Sequence, residues 1–111
     1  MSTDPAFGPL LMFGLGGIYI EIMKDVSFRV NPVTDIDAEE MIESCKGYRL
    51  LTGFRGSEPV DLALLKESIL RLSMLVTDFE DLVEFDVNPF IIASDRGNSA
   101  AVDARFIVRL P

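Results

Sequence analysis

The sequence predicts an α+β domain, a mostly antiparallel sheet with two helices packed on it, and three observations carry that expectation. Apolar residues alternate at period two near both ends of the chain, as in half-buried strands. In the middle, Leu62, Leu65, Ile69, Leu72, Val76 and Phe79 recur three and four apart, the spacing of one helical face. Near the C-terminus, Asp95-Arg96-Gly97-Asn98 divides two apolar stretches as a four-residue hairpin loop would.

The elements follow in order. Gly8-Pro9 is the first punctuation, and Leu10 to Phe13 reads as a strand. Gly14-Leu15-Gly16-Gly17 forms a turn, after which Ile18, Ile20 and Ile22 alternate through a strand ending at Met23. Asp25 breaks the pattern, and Val26 to Val30 is a short strand that stops before Asn31-Pro32. Thr34 is placed as a helix N-cap, with Asp35, Asp37, Glu39 and Glu40 favouring the positive helix end. Ala38, Met41, Ile42 and Cys45 give that helix its apolar stripe, and Gly47 is its expected stop. Tyr48 to Pro59 is a glycine-punctuated connection. The clearest helix spans Val60 to Val76, and strands Val83 to Ser94 and Ser99 to Val108 close the chain.

Composition bounds the function. With 111 residues the chain is read as one domain, 1–111, and its 49% apolar content supports a single core. The net charge of -8 argues against nucleic acid and anionic membrane as partners. The apolar run from Pro9 to Ile20 falls short of the roughly 20 residues a bilayer requires, and no basic segment precedes it as in a signal peptide. Cys45 is the one cysteine and lies on an apolar helix stripe, which predicts a buried thiol and a cytoplasmic protein. The absence of histidine excludes a Ser-His-Asp triad or a histidine-ligated zinc within these residues.

The terminal hairpin carries the chemistry. If it pairs symmetrically about its loop, Ser94 faces Ser99, Phe90 faces Asp103 and Asn88 faces Arg105. Alternation then projects Asp86, Asn88, Asp103 and Arg105 from one face, leaving Phe85, Val87, Ile91, Val102, Ala104 and Phe106 as a core surface. An amide and a carboxylate on adjacent strands suit Mg²⁺, which keeps several waters and bridges protein oxygens to nucleotide phosphates. The same cluster also fits a solvated hairpin face. The glycine turn offers backbone N–H groups to a phosphoryl group, or is an ordinary turn. Glu21, on the strand face opposite the isoleucines, lines the same cleft or is a surface carboxylate. Lys24 and Arg29 are weighed as phosphate contacts against solvated strand-edge charges.

Asp4-Pro5-Ala6-Phe7-Gly8-Pro9, then Met12-Phe13-Gly14-Leu15-Gly16-Gly17, Glu21, Lys24-Asp25-Val26-Ser27-Phe28-Arg29, Asp86-Val87-Asn88-Pro89 and Val102-Asp103-Ala104-Arg105 stand in an order that resembles one family. It is the ATP-grasp domain of NDP-forming acyl-CoA synthetases, such as the ADP-forming acetyl-CoA synthetase β subunit, and the resemblance runs from about Asp4 to Val108. The fold this implies is the C-terminal lobe of an ATP-grasp domain. The implied cofactors are Mg²⁺ and ATP/ADP, with Asn88 and Asp103 holding the metal and Gly14, Gly16 and Gly17 near the nucleotide. The resemblance implies catalytic roles for Asp86, beside a relay histidine supplied by another domain or subunit, and for Glu21. A companion synthetase subunit or domain is the implied partner, in a homo- or hetero-oligomer. The family's preceding lobe is not among these residues. That leaves three readings: a partial synthetase subunit completed by partners, an inactive fragment, or an acidic interaction module that retains the fold.

Overall fold

A computed structural model describes residues 1–15, 25–53, 56 and 58–111. Strands β1 (Ser2–Asp4), β2 (Gly8–Gly14) and β3 (Val26–Val30) form an antiparallel sheet in that order. Helix α1 (Asp35–Glu43), the single turn α2 (Tyr48–Leu51) and the long α3 (Leu62–Asp78) follow. The chain ends in β4 (Leu82–Val87), β5 (Phe90–Ile91), a 3₁₀ turn (Arg96–Asn98), β6 (Ala100–Ala101) and β7 (Ala104–Val108). β4 pairs with β7 and β5 with β6, both antiparallel. The predicted α+β class is therefore what the chain adopts, with α2 an addition inside the expected connection.

β1 joins the sheet to the terminal hairpin. The Met1 ammonium donates to the Phe85 carbonyl at 2.7 Å, and the Phe85 N–H returns a 3.0 Å bond to the Met1 carbonyl. The Thr3 hydroxyl donates to the Val83 carbonyl at 2.6 Å, extending the edge contact. Gly8 and Pro9, expected to punctuate, are instead paired within β2, opposite Asp4 and Thr3. Gly8 has φ 76°, a value that favours glycine, where the turn from β1 enters β2.

One face of this sheet is covered by α1 and α3. Leu11, Met1 and Phe85 from the strands meet Ala38, Met41 and Ile42 of α1 and Leu65, Ile69 and Val76 of α3, all buried. Thr34 caps α1 as expected: its hydroxyl accepts from the Asp37 N–H, and the Asp37 carboxylate accepts from the Thr34 N–H. These bonds hold the Asp37 carboxyl below the usual carboxylate range. Gly47 is not the helix stop. α1 ends at Glu43 with Ser44 as its C-cap, and Gly47 instead precedes α2. α3 begins two residues later than predicted because the Asp61 carboxylate accepts from the Leu64 N–H. Phe79, placed on the apolar stripe, is its exposed C-cap. Inside α3 the buried Ser73 hydroxyl donates to Asn31 Oδ1 at 2.7 Å and accepts from the Val33 N–H at 2.8 Å, tying the β3–α1 link to the helix. Among the described residues no helix is long and apolar enough to cross a membrane.

The terminal hairpin departs from the expected register. Pairing stops at Ile91 opposite Ala100, because residues 92–99 form a longer connection around the 3₁₀ turn. Asp95 organises it: its carboxylate accepts from the Asn98 N–H at 2.9 Å, and its carbonyl accepts from the Ser99 hydroxyl at 2.9 Å. Ser99 also accepts from the Ala93 N–H, so the expected Ser94–Ser99 rung is absent and the partners of Glu84 to Ile91 move by two, with a bulge between Leu82 and Glu84 beyond them. A two-residue shift preserves the faces, since alternation has period two. The predicted core surface is only half realised: Phe85 is buried and Val87 half-buried, while Ile91, Val102 and Phe106 are 48%, 62% and 47% exposed.

Candidate functional site

The shifted register makes Asp86 the direct partner of Arg105, and the Arg105 guanidinium lies 3.0 Å from the Asp86 carboxylate. Asn88 moves opposite Asp103, and its N–H donates to the Asp103 carbonyl at 2.9 Å. The two residues expected to share a metal thus lie opposite each other between the β4–β7 and β5–β6 pairings, two positions closer than the symmetric register predicts. Burial alternates along β4: Phe85 is buried, Asp86 exposed, Val87 half-buried and Asn88 exposed, so Asp86 and Asn88 face outward together. The strand pairing is interrupted at Asn88-Pro89 because proline lacks the N–H a ladder needs, yet the Val102 N–H still donates to the Pro89 carbonyl at 3.0 Å.

A cavity of about 470 Å³ opens beside Asn88, whereas Asp103 is not among the residues that line it. Gly14, Leu15, Asp86 and Asn88 line it together with the apolar Met41, Ile69 and Phe85. Its size suits a small-molecule pocket, mostly apolar with a few convergent polar groups. Gly14 and Asp86 thus border one cavity. Gly16, Gly17, Glu21 and Lys24, and the strand expected over Ile18 to Met23, lie outside the described residues. Arg29, weighed as a phosphate contact, faces α1 instead: it is 3.3 Å from Glu40 and 4.0 Å from Asp37.

The donor set fits Mg²⁺. Asn88 and Asp103 present an amide oxygen and a carboxylate, both exposed, and neither side chain has a partner among the described residues. Mg²⁺ is commonly held by one or two protein oxygens plus water and phosphate, so a two-residue platform suffices. Among the described residues no group of three or more acidic or cysteine side chains stands close enough to hold a metal ion. Two cavity-lining residues went unnoticed in the sequence, Ser68 and Arg71 of α3. Arg71 also pairs with Glu67 one turn back at 2.9 Å, and its i, i+4 position on a polar helix face gave no signal beyond ordinary surface charge.

Known proteins place this geometry. Residues 1–108 match the family model of the ATP-grasp domain. The β subunit of acetate–CoA ligase (ADP-forming) I from Pyrococcus furiosus is 47% identical over 108 residues, which cover 97% of this chain and 46% of that one. The ADP-forming 4-hydroxybutyrate–CoA ligase of Nitrosopumilus maritimus is 46% identical over 94% of this chain and 15% of its own. Among solved structures, an acetyl-coenzyme A synthetase from Ca. Korarchaeum cryptofilum superposes with a TM-score of 0.89 at 47% identity, covering 97% of this chain and 50% of that one. That enzyme was solved with coenzyme A and Mg-AMPPCP, its phosphohistidine segment pointing towards the nucleotide-binding site. The chain spans about half the length of the subunit it matches and a smaller share of the single-chain ligase. With the family model matching nearly every residue, the chain belongs to the ATP-grasp domain family.

Proposed function

We propose that the chain is the Mg-nucleotide-binding lobe of an NDP-forming acyl-CoA synthetase, which converts acyl-CoA, ADP and phosphate to the free acid, CoA and ATP. The observation that carries this reading is the Asn88–Asp103 rung, whose Asn88 lines the same cavity as Gly14. The similarity to synthetase β subunits supports it. Asn88 and Asp103 would hold Mg²⁺ through their side-chain oxygens, and the ion would supply charge neutralisation for the phosphates. Gly14, with Gly16 and Gly17 following it in sequence, lets the backbone approach the phosphates closely.

Asp86 is the acidic residue that receives a relay histidine from the partner. It accepts from the imidazole N–H, fixing the tautomer and stabilising the cationic form. Arg105 holds that carboxylate in place until the imidazole arrives. The chain itself has no histidine, so the relay group comes from a companion domain or subunit, as do acyl and CoA recognition. Glu21 is assigned to the same cleft. An interaction module that merely keeps the fold would have no reason to retain Asp86, Asn88 and Asp103 together, which weighs against that reading.

Reconstitution tests the proposal. The chain is mixed with a polypeptide carrying the part of the Pyrococcus furiosus β subunit that it does not match, together with the histidine-bearing subunit. ATP formation from ADP and phosphate that requires both acetyl-CoA and Mg²⁺ is expected. A correctly assembled complex that binds no Mg-ADP would refute the assignment.

A further inference from the structure

Asp25 is one of two buried polar residues among those described, 6% exposed, and the candidate site as built so far does not use it. Its carboxylate accepts two short backbone bonds from one turn: the Lys46 N–H at 2.6 Å on one oxygen and the Gly47 N–H at 2.9 Å on the other. Burying a carboxylate is costly, and two charge-assisted bonds from fixed amides offset that cost in a way a neutral side chain cannot. An asparagine offers one acceptor oxygen, and its NH₂ would oppose an N–H.

The same turn touches the other strand. A Cβ at position 47 would overlap the Leu15 Cδ1 methyl, so Leu15 packs directly over the Gly47 backbone and would have to turn aside for any side chain there. Leu15 directly follows β2 and Asp25 directly precedes β3, so both adjoin Gly14 opposite Val26, the last pair of the ladder. Both residues are therefore seated on Lys46–Gly47, one by packing and one by hydrogen bonds. Leu15 and Gly14 line the same cavity as Asp86 and Asn88.

We propose that Asp25 is a positioning residue for the nucleotide site. By fixing the Lys46–Gly47 turn it sets Leu15, and through Leu15 the distance between Gly14 and the Asp86–Asn88 part of the cavity lining. This rests on the nucleotide-site reading above. It adds a coupling between a buried carboxylate behind the sheet and the phosphate side of the cavity.

Two variants and two readouts test it. In the reconstituted complex, Asp25→Asn and Gly47→Ala are each expected to raise the KM for Mg-ADP by roughly 10- to 100-fold, the penalty of an ångström-level misplacement, with the KM for acetyl-CoA unchanged. In the full chain alone, amide exchange at Gly14 and Leu15 is expected to quicken by about tenfold or more in Asp25→Asn, since the lost bonds involve a charged group, while Phe85 exchange stays constant. A purely structural Asp25 would lower thermal stability with the KM for Mg-ADP unchanged, and that result overturns the proposal. Unchanged exchange at Gly14 and Leu15 also overturns it. If the wild-type complex binds no Mg-ADP, the nucleotide reading falls by itself, and the exchange comparison still decides whether Asp25 controls Gly14 and Leu15.

Discussion

The Asp86 carboxylate and the Arg105 guanidinium are half or more exposed, so their 3.0 Å pair contributes at most about 1 kcal/mol to stability. A contact this weak can be exchanged for an incoming imidazole without unfolding the hairpin. Arg105→Ala should accordingly leave the urea midpoint within the range of a change of about 1 kcal/mol or less. A larger loss would make the pair a structural bridge and leave Asp86 unavailable. Cys45 shows the opposite environment: burial, and then the Asp25 carboxylate nearby, push its thiol up to about 11. In the unfolded chain the thiol ionises near pH ~8.5, so the folded state is favoured fully below that value and loses this contribution as pH rises towards about 11. Urea titrations between neutral pH and that range should show the decline in the wild type and a flatter profile in Cys45→Ala. Individual residues were the most legible part of the sequence. Cys45 as buried core and the shared face of Asp86 and Asn88 both follow from periodicity, which a two-residue register shift leaves intact.

Helix α1 and the terminal hairpin show where local signals suffice and where they do not. Thr34 was readable as a cap because its hydroxyl satisfies an N–H that the first helical turn leaves open. Thr34→Ala should cost about 1 kcal/mol by denaturant unfolding. The Ser73 hydroxyl was not readable: it sits on a helix face whose spacing says only that it is buried, while its partners Asn31 and Val33 lie some forty positions away. Ser73→Ala leaves the buried Val33 N–H without an acceptor and should cost about 1–3 kcal/mol, more than the exposed Ser94 would. An equal and small effect for both would show that water replaces the bond. The hairpin register failed for a related reason. Symmetric pairing counts only residues, whereas Asp95 captures Asn98 and Ser99 and withdraws residues 92–99 from the ladder. Gly47 likewise reads as a helix stop, although its role is to let Leu15 approach.

Across the molecule, apolar surface is distributed unevenly. Helices α1 and α3 cover one side of the sheet, yet β7 stays exposed along its length, with Phe106, Ile107 and Val108 at 47%, 44% and 56%. Alternation marks such residues as a core face without saying whether this chain or another supplies the cover. The relatives are about twice as long where they are single subunits, and under the proposed function their remaining half is the natural cover. Phe106→Lys should weaken association with the companion polypeptide by about tenfold or more, as expected for an apolar residue at an interface centre, measured by analytical ultracentrifugation. The most direct test of the nucleotide site is a calorimetric titration of the reconstituted complex with ADP, with and without Mg²⁺, in the wild type and in Asp103→Ala. Affinity that rises with Mg²⁺ in the wild type and loses that dependence in Asp103→Ala is the predicted result. Mg²⁺-dependent binding, or acyl-CoA-dependent ATP formation, that persists in Asp103→Ala would contradict the assignment of the Asn88–Asp103 rung.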